Sequence, residues 1–108
     1  MEIIKKILVL NYRSEYAYRE YLKEKKYYQA KRIYNVNKEL LEMLKEFQYM
    51  CEPSLLDLVC VYIFHLEDWF LQFEINEEKV SHLEDNFVFS RLNYSFSFPT
   101  EFYEKIKK

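Results

Sequence analysis

The chain has 108 residues, 16 Lys/Arg against 18 Asp/Glu, and a formal net charge of −2. That length suits one domain, residues 1–108, able to bury roughly two thirds of its unfolded surface. Glycine is absent, where average usage would give about seven or eight; this excludes glycine-rich phosphate loops, dinucleotide fingerprints and nucleophile elbows, whose backbones require it.

Half of the residues are hydrophobic, too many for a disordered chain. Eleven Tyr, nine Phe and one Trp make it aromatic-rich. Phe fills a core without a polar atom to satisfy, whereas Tyr needs a partner or water for its hydroxyl and gathers at the core boundary. With no Gly, the left-handed backbone positions are expected to fall to Asn, with Asn35, Asn37, Asn76, Asn86 and Asn93 as candidates.

Taken in order, Ile3, Ile4, Ile7 and Leu8 fit a helical face, and Ile7–Leu10 alone also fits a short strand. The apolar stretch there is too short for a signal peptide, so a cytoplasmic protein is expected. Ser14 is a suitable N-cap for a helix to about Lys25, with Ala17, Tyr18, Tyr21 and Leu22 inward. A solvated turn or face at 23–26 follows, then a helix carrying Ala30, Ile33, Val36, Leu40, Leu44 and Phe47 at steps of three and four. Ala17, Tyr21, Tyr27, Ala30 and Tyr34 fall at offsets that resemble one tetratricopeptide repeat over about 25 residues. The repeat's Gly position is Tyr18 and nothing recurs 34 residues later, so the resemblance implies a helical hairpin and not a solenoid.

Pro53 breaks the chain, and Ser54-x-x-Asp57 resembles a capping box. Leu55–Ile75 reads as a helix that is apolar almost all round to Phe64, as befits the middle of a bundle. Asn76 can cap a further helix with Val80, Leu83 and Phe87 inward. Residues 92–98 alternate apolar and polar, a strand pattern, with Phe87–Phe89 or Ile7–Leu10 as partners. Thr100 can cap a short last helix to Ile106. The expected fold is mainly α: a compact bundle of four to five helices, with a possible small β element near the C-terminus.

Cys51 and Cys60 on or near one helix lie roughly 13 Å apart, beyond the ~7 Å that a disulfide allows. Both are expected as free thiols, Cys60 buried. The chain's two histidines sit in a repeated His-Leu-Glu-Asp, at 65–68 and 82–85. A zinc-type site is one reading; two exposed acidic helix surfaces are the other, and the tight His pairing of metal motifs is missing. The Arg-then-His spacing of HEPN-type helical ribonucleases is also missing: no Arg precedes either histidine by four to six residues. Neither catalytic residues nor a metal or cofactor are expected, so the chain reads as non-enzymatic.

Charge is divided unevenly. Residues 13–32 hold seven Lys/Arg against three acids, and residues 52–85 hold nine acids against one Lys. The basic part interleaves tyrosines with Lys23, Lys25, Lys26, Lys31 and Arg32, a pattern able to stack bases and contact phosphates; the overall negative charge argues against nucleic acid as partner. The acidic part offers Glu67, Asp68, Glu74, Glu77, Glu78, Glu84 and Asp85 with Trp69 among them as candidate partner-binding residues. A solvated face, internally paired with the basic helix, would account for the same acids.

Small size, slight acidity, aromatic richness and the lack of catalytic motifs together resemble the immunity proteins of polymorphic or contact-dependent toxin systems. The likeness is of kind, since no diagnostic motif carries it. It implies an antitoxin acting by protein–protein interaction: a cytoplasmic inhibitor that occludes a cognate basic toxin domain, often a nuclease. The alternatives are a phage or viral inhibitor of a host nucleic-acid machine, using the same acidic face, and a nucleic-acid-binding regulator using the basic Tyr-rich helix.

Overall fold

The computed structural model describes residues 2–89 and 100–107. Four helices occur among the described residues: α1 (Glu2–Glu24), α2 (Tyr27–Phe47), α3 (Pro53–Glu77) and α4 (Thr100–Ile106). The mainly α bundle expected from the sequence is the fold, and the terminal helix lies at the expected residues. The alternating segment 92–98 lies outside the described residues.

The first two helices form the expected hairpin. Residues 3, 7, 10, 14, 17 and 21 of α1 repeat every three or four positions and run along one face. Ile7–Leu10 is therefore helical, and Ser14 lies inside α1 instead of opening a helix. Its hydroxyl donates to Asn37 Oδ1 at 2.7 Å, across the hairpin. Asn37 interrupts the matching row on α2, Ala30, Ile33, Leu40, Leu44 and Phe47. One polar pair within an apolar seam fixes which turn faces which. Unbroken apolar burial on both sides of Ser14 outweighs its capping preference, worth about 1 kcal/mol. Tyr18 and Leu22, expected inward, are exposed, and Tyr21 alone of that half-turn is buried.

Lys25 closes the hairpin. Its φ of 54° is the positive one among the described residues, so the left-handed position falls to Lys and not to Asn. Its N–H donates to the Tyr21 carbonyl at 2.7 Å, which ends α1. Lys26 then takes extended geometry as the N-cap of α2, and its N–H donates to Gln29 Oε1 at 3.1 Å. The next two donors are satisfied from far away: Tyr27 N–H by the Asp85 carbonyl (2.8 Å) and Tyr28 N–H by the Leu83 carbonyl (3.0 Å). Phe87 N–H returns a bond to the Lys25 carbonyl at 2.8 Å.

This docking explains a second correction. The segment after α3 is not a helix; it is a loop whose Lys26–Asn86 bridge holds it against the α1–α2 turn. Asn76 is buried inside α3, its amide donates to the Gln72 carbonyl (2.9 Å), and the segment 78–89 that follows it is not helical. Ser54 likewise caps nothing: Glu52 is the N-cap of α3 and Pro53 occupies its first turn, where a fixed φ and a missing N–H are no handicap.

The core has two parts. One joins α1, α2, α3 and α4 through Ile7, Leu40, Leu44, Phe47, Val59 and Phe102. There the Tyr62 and Tyr103 hydroxyls hydrogen-bond each other, and burial drives both phenols well above their ordinary ionisation range. The other part is aromatic, with Tyr21, Phe73 and Phe87 buried and Tyr27, Tyr34, Trp69 and Phe89 packed against them. Phe73 sits at its centre, 4.7 Å from the Tyr34 ring and 5.0 Å from Phe87.

Candidate functional site

The acidic stretch divides into two groups according to what each carboxylate meets. Glu77 turns inward. It accepts a hydrogen bond from the Tyr27 hydroxyl and pairs with Lys31 Nζ at 3.6 Å. Burial and this carboxylate together push the Tyr27 phenol up to about 12. Asp85 is also occupied, accepting from the backbone N–H groups of Ser81 and His82, each at 2.9 Å. Those two bonds hold its carboxyl below the usual range. The same turn points the carbonyls of Leu83 and Asp85 at the N-terminus of α2, so Asp85 contributes to the fold.

Glu67, Glu74, Glu78 and Glu84 turn outward, and among the described residues they form no ion pair. Asp68 is half-buried on α3. Trp69 is half-buried too, stacked on Phe73 at 5.5 Å and tilted against Tyr34 at 6.4 Å. The structure thus brings Glu67 and Glu74 together on α3, continues the row with Glu78 just past the helix end, and sets Glu84 apart on the loop.

Beside Glu67 and Glu74 an open groove of about 350 Å³ runs between α2 and α3. Its floor is Tyr34, Leu41, Phe70 and Leu71, and Lys38 stands on the α2 wall. Leu71 is 54% exposed and Ile75, one turn on, 39%. Sequence reasoning missed Leu41 and Leu71 as surface features. The available clue was a helix apolar on too many sides to bury them all. A second groove, about 490 Å³, lies between α1 and α2 with Val9, Leu10 and Met43 below Lys5, Lys6, Glu39 and Glu42.

The basic half is largely engaged within the chain. Lys23 pairs with Glu20 at 2.5 Å, and Lys26 Nζ donates to Asn86 Oδ1 at 3.2 Å. Lys31 lies over the Tyr27 and Tyr34 rings at 5.9 and 5.5 Å, and Arg32 over Tyr28 at 5.5 Å. Each such contact is worth about 0.5–1 kcal/mol at exposed sites.

The His-Leu-Glu-Asp repeats do not share a conformation. His65 and Asp68 lie on α3, whereas His82 and Asp85 lie in the loop, correcting the expectation of two helix surfaces. Among the described residues no three His, Cys, Asp or Glu side chains gather where they could hold a metal ion. Cys51 and Cys60 are free thiols, and Cys60 is half-buried where full burial was expected. Desolvation raises the Cys51 thiol above its ordinary range. No helix among the described residues is long and apolar enough to cross a membrane. Comparison with protein-family models, with curated proteins and with solved structures found no match.

Proposed function

We propose that this chain is a non-enzymatic binding protein: an immunity protein, or inhibitor, that neutralises a cognate basic toxin domain by occluding it. One observation carries the reading. The outward carboxylates Glu67, Glu74 and Glu78 stand unpaired beside exposed apolar side chains, Leu71 and Ile75. Charge of one sign steers an oppositely charged partner and speeds encounter, while buried apolar anchors supply most of the affinity. A face with both suits a basic protein better than a small ion. The internal engagement of Lys23, Lys26, Lys31 and Arg32 leaves less cationic surface for a nucleic acid, which favours the inhibitor reading over a nucleic-acid-binding regulator.

The test is co-expression with candidate basic toxin domains, taken first from the neighbouring genes. Wild-type chain is expected to restore growth and to co-purify with the toxin. A variant with Glu67, Glu74, Glu78 and Glu84 all changed to Lys is expected to keep its helical circular-dichroism spectrum and lose both. Full protection by the reversed variant would refute the acidic face as the inhibitory surface.

A further inference from the structure

Resting on the inhibitor reading, we infer that the groove between α2 and α3 is the seat of a basic amphipathic helix of the partner. The floor of Tyr34, Leu41, Phe70 and Leu71 is apolar, and Leu71 is 54% exposed. Monomers rarely leave large apolar side chains contiguous at the surface without a use for them. Both walls are helices, with every mid-helix backbone group already bonded within its own helix, so an added strand finds nothing to pair with. A third helix can lay its ridge into the groove between two others.

Charge specifies the occupant further. Glu67, Glu74 and Glu78 are spaced seven and four residues apart, which sets them in one row: Glu67 and Glu74 line the groove, and Glu78, the C-cap of α3, continues the row past its end. The row spans roughly 16 Å, or about three helical turns. A partner helix lying along it meets all three with Lys or Arg at the same seven-and-four spacing, and its apolar anchors then face Leu41 and Leu71. Lys38 on the opposite wall repels cations there and confines them to the α3 side. Three carboxylates along a single edge therefore select a helix basic on one flank and apolar below.

The carboxylates are also placed where the isolated fold would not choose them. Glu74, Glu77 and Glu78 crowd the C-terminal end of α3, which has no basic residue in its last turn. The negative end of the helix dipole disfavours anions there. Glu77 is offset by Lys31 and Tyr27; Glu74 and Glu78 have no such offset. A cationic helix docked on this row supplies it.

The probe is a synthetic helical peptide with lysines spaced seven and four residues apart flanking a leucine row, and a twin with glutamates for the lysines. Titrated into isotopically labelled full chain, the lysine peptide is expected to shift the amides of Leu41, Phe70 and Leu71. Its affinity is expected to fall at least about tenfold on raising salt to 1 M, where the screening length is about 3 Å. Leu71→Asn alters only an exposed side chain, and Glu67→Lys with Glu74→Lys reverses the row; each is expected to abolish the shifts. Shifts confined to the Val9–Met43 groove, or equal binding of the glutamate twin, would overturn the assignment. The two readings fail separately. A Leu71→Asn chain that still protects fully against its toxin removes the groove and leaves the inhibitor function. Peptide binding at the groove, with no basic toxin domain neutralised, removes the inhibitor function and leaves the groove.

Discussion

Replacing Glu74 and Glu78 together by Gln should stabilise the free protein. Both lie at the C-terminal end of α3, where each anion opposes the helix dipole by about 0.3–1 kcal/mol at low ionic strength. They are also four residues apart on one face, and relieving a like-charge pair of that spacing gains a further ~0.2–0.5 kcal/mol. Together the double variant should gain about 1–2 kcal/mol. Neither residue is in the core, so no packing loss offsets the gain. Glu52→Gln is the matched control of opposite sign: Glu52 caps the N-terminus of the same helix, where the dipole favours an anion, and its neutralisation should destabilise. Urea unfolding in dilute buffer measures both, and repeating it in 1 M salt should shrink both differences. A double variant no more stable than wild type at low salt, or a gain that survives high salt, would refute the electrostatic account of this helix end.

Phe87 is 1% exposed, stacks on Tyr27 and packs against Phe73 and Phe89, so Phe87→Ala should cost about 3–5 kcal/mol in urea unfolding, and the Tyr27 and Tyr28 amides should lose exchange protection as the loop undocks. A loss near zero with those amides still protected would contradict the docking. The Tyr27 phenol ionises at about 12 in the folded chain and near 10 when unfolded. Between those values the unfolded state has lost a proton that the folded state keeps, so this contribution to stability is complete below about pH 10 and is lost as pH rises through about 12. Tyr27→Phe should flatten that alkaline decline in the urea midpoint; an unchanged slope would show that this phenol is not responsible. Lys25→Gly relieves a left-handed residue and should raise stability by about 0.5–1 kcal/mol, whereas Lys25→Ala, which keeps the Cβ clash, should not; equal effects would count against backbone strain at this turn. Both cysteines should titrate as thiols after denaturation, with no change of melting temperature on adding reductant; an intramolecular disulfide in the mass spectrum would contradict the fold between α2 and α3.

The helices were legible because apolar spacing is a sum over many residues. The rows at 3, 7, 10, 17 and 21 and at 30, 33, 40, 44 and 47 survive a polar interruption at Ser14 and Asn37. Capping residues were less informative: Ser14 and Asn76 bond elsewhere, and Ser54 lies inside the first turn that Glu52 opens. A single cap contributes about 1 kcal/mol, less than continuing a buried row. The segment after α3 was misread because Val80, Leu83 and Phe87 fit a helical period, while its actual conformation is set by donors on Tyr27 and Tyr28 more than fifty residues earlier in the chain. Such a contact leaves no local trace.

The acidic site was legible as a quantity of charge but not as a surface. Glu77 and Glu78 are neighbours in sequence, yet one is tied to Tyr27 and Lys31 and the other stands in solvent. That division follows from the hairpin: the loop after α3 docks on the α1–α2 turn, which draws Glu77 and Asp85 into the fold. It leaves Glu67, Glu74 and Glu78 along the side of α3 that faces neither the hairpin seam nor α4. The absence of glycine works in the same direction. A glycine at position 25 would relax the turn, whereas Lys25 holds a left-handed backbone. Fixing that turn from outside, through the bonds of Tyr27, Tyr28 and Phe87, uses the loop that follows the acidic helix. The residues that close the hairpin thus also decide which carboxylates remain free to meet a cation.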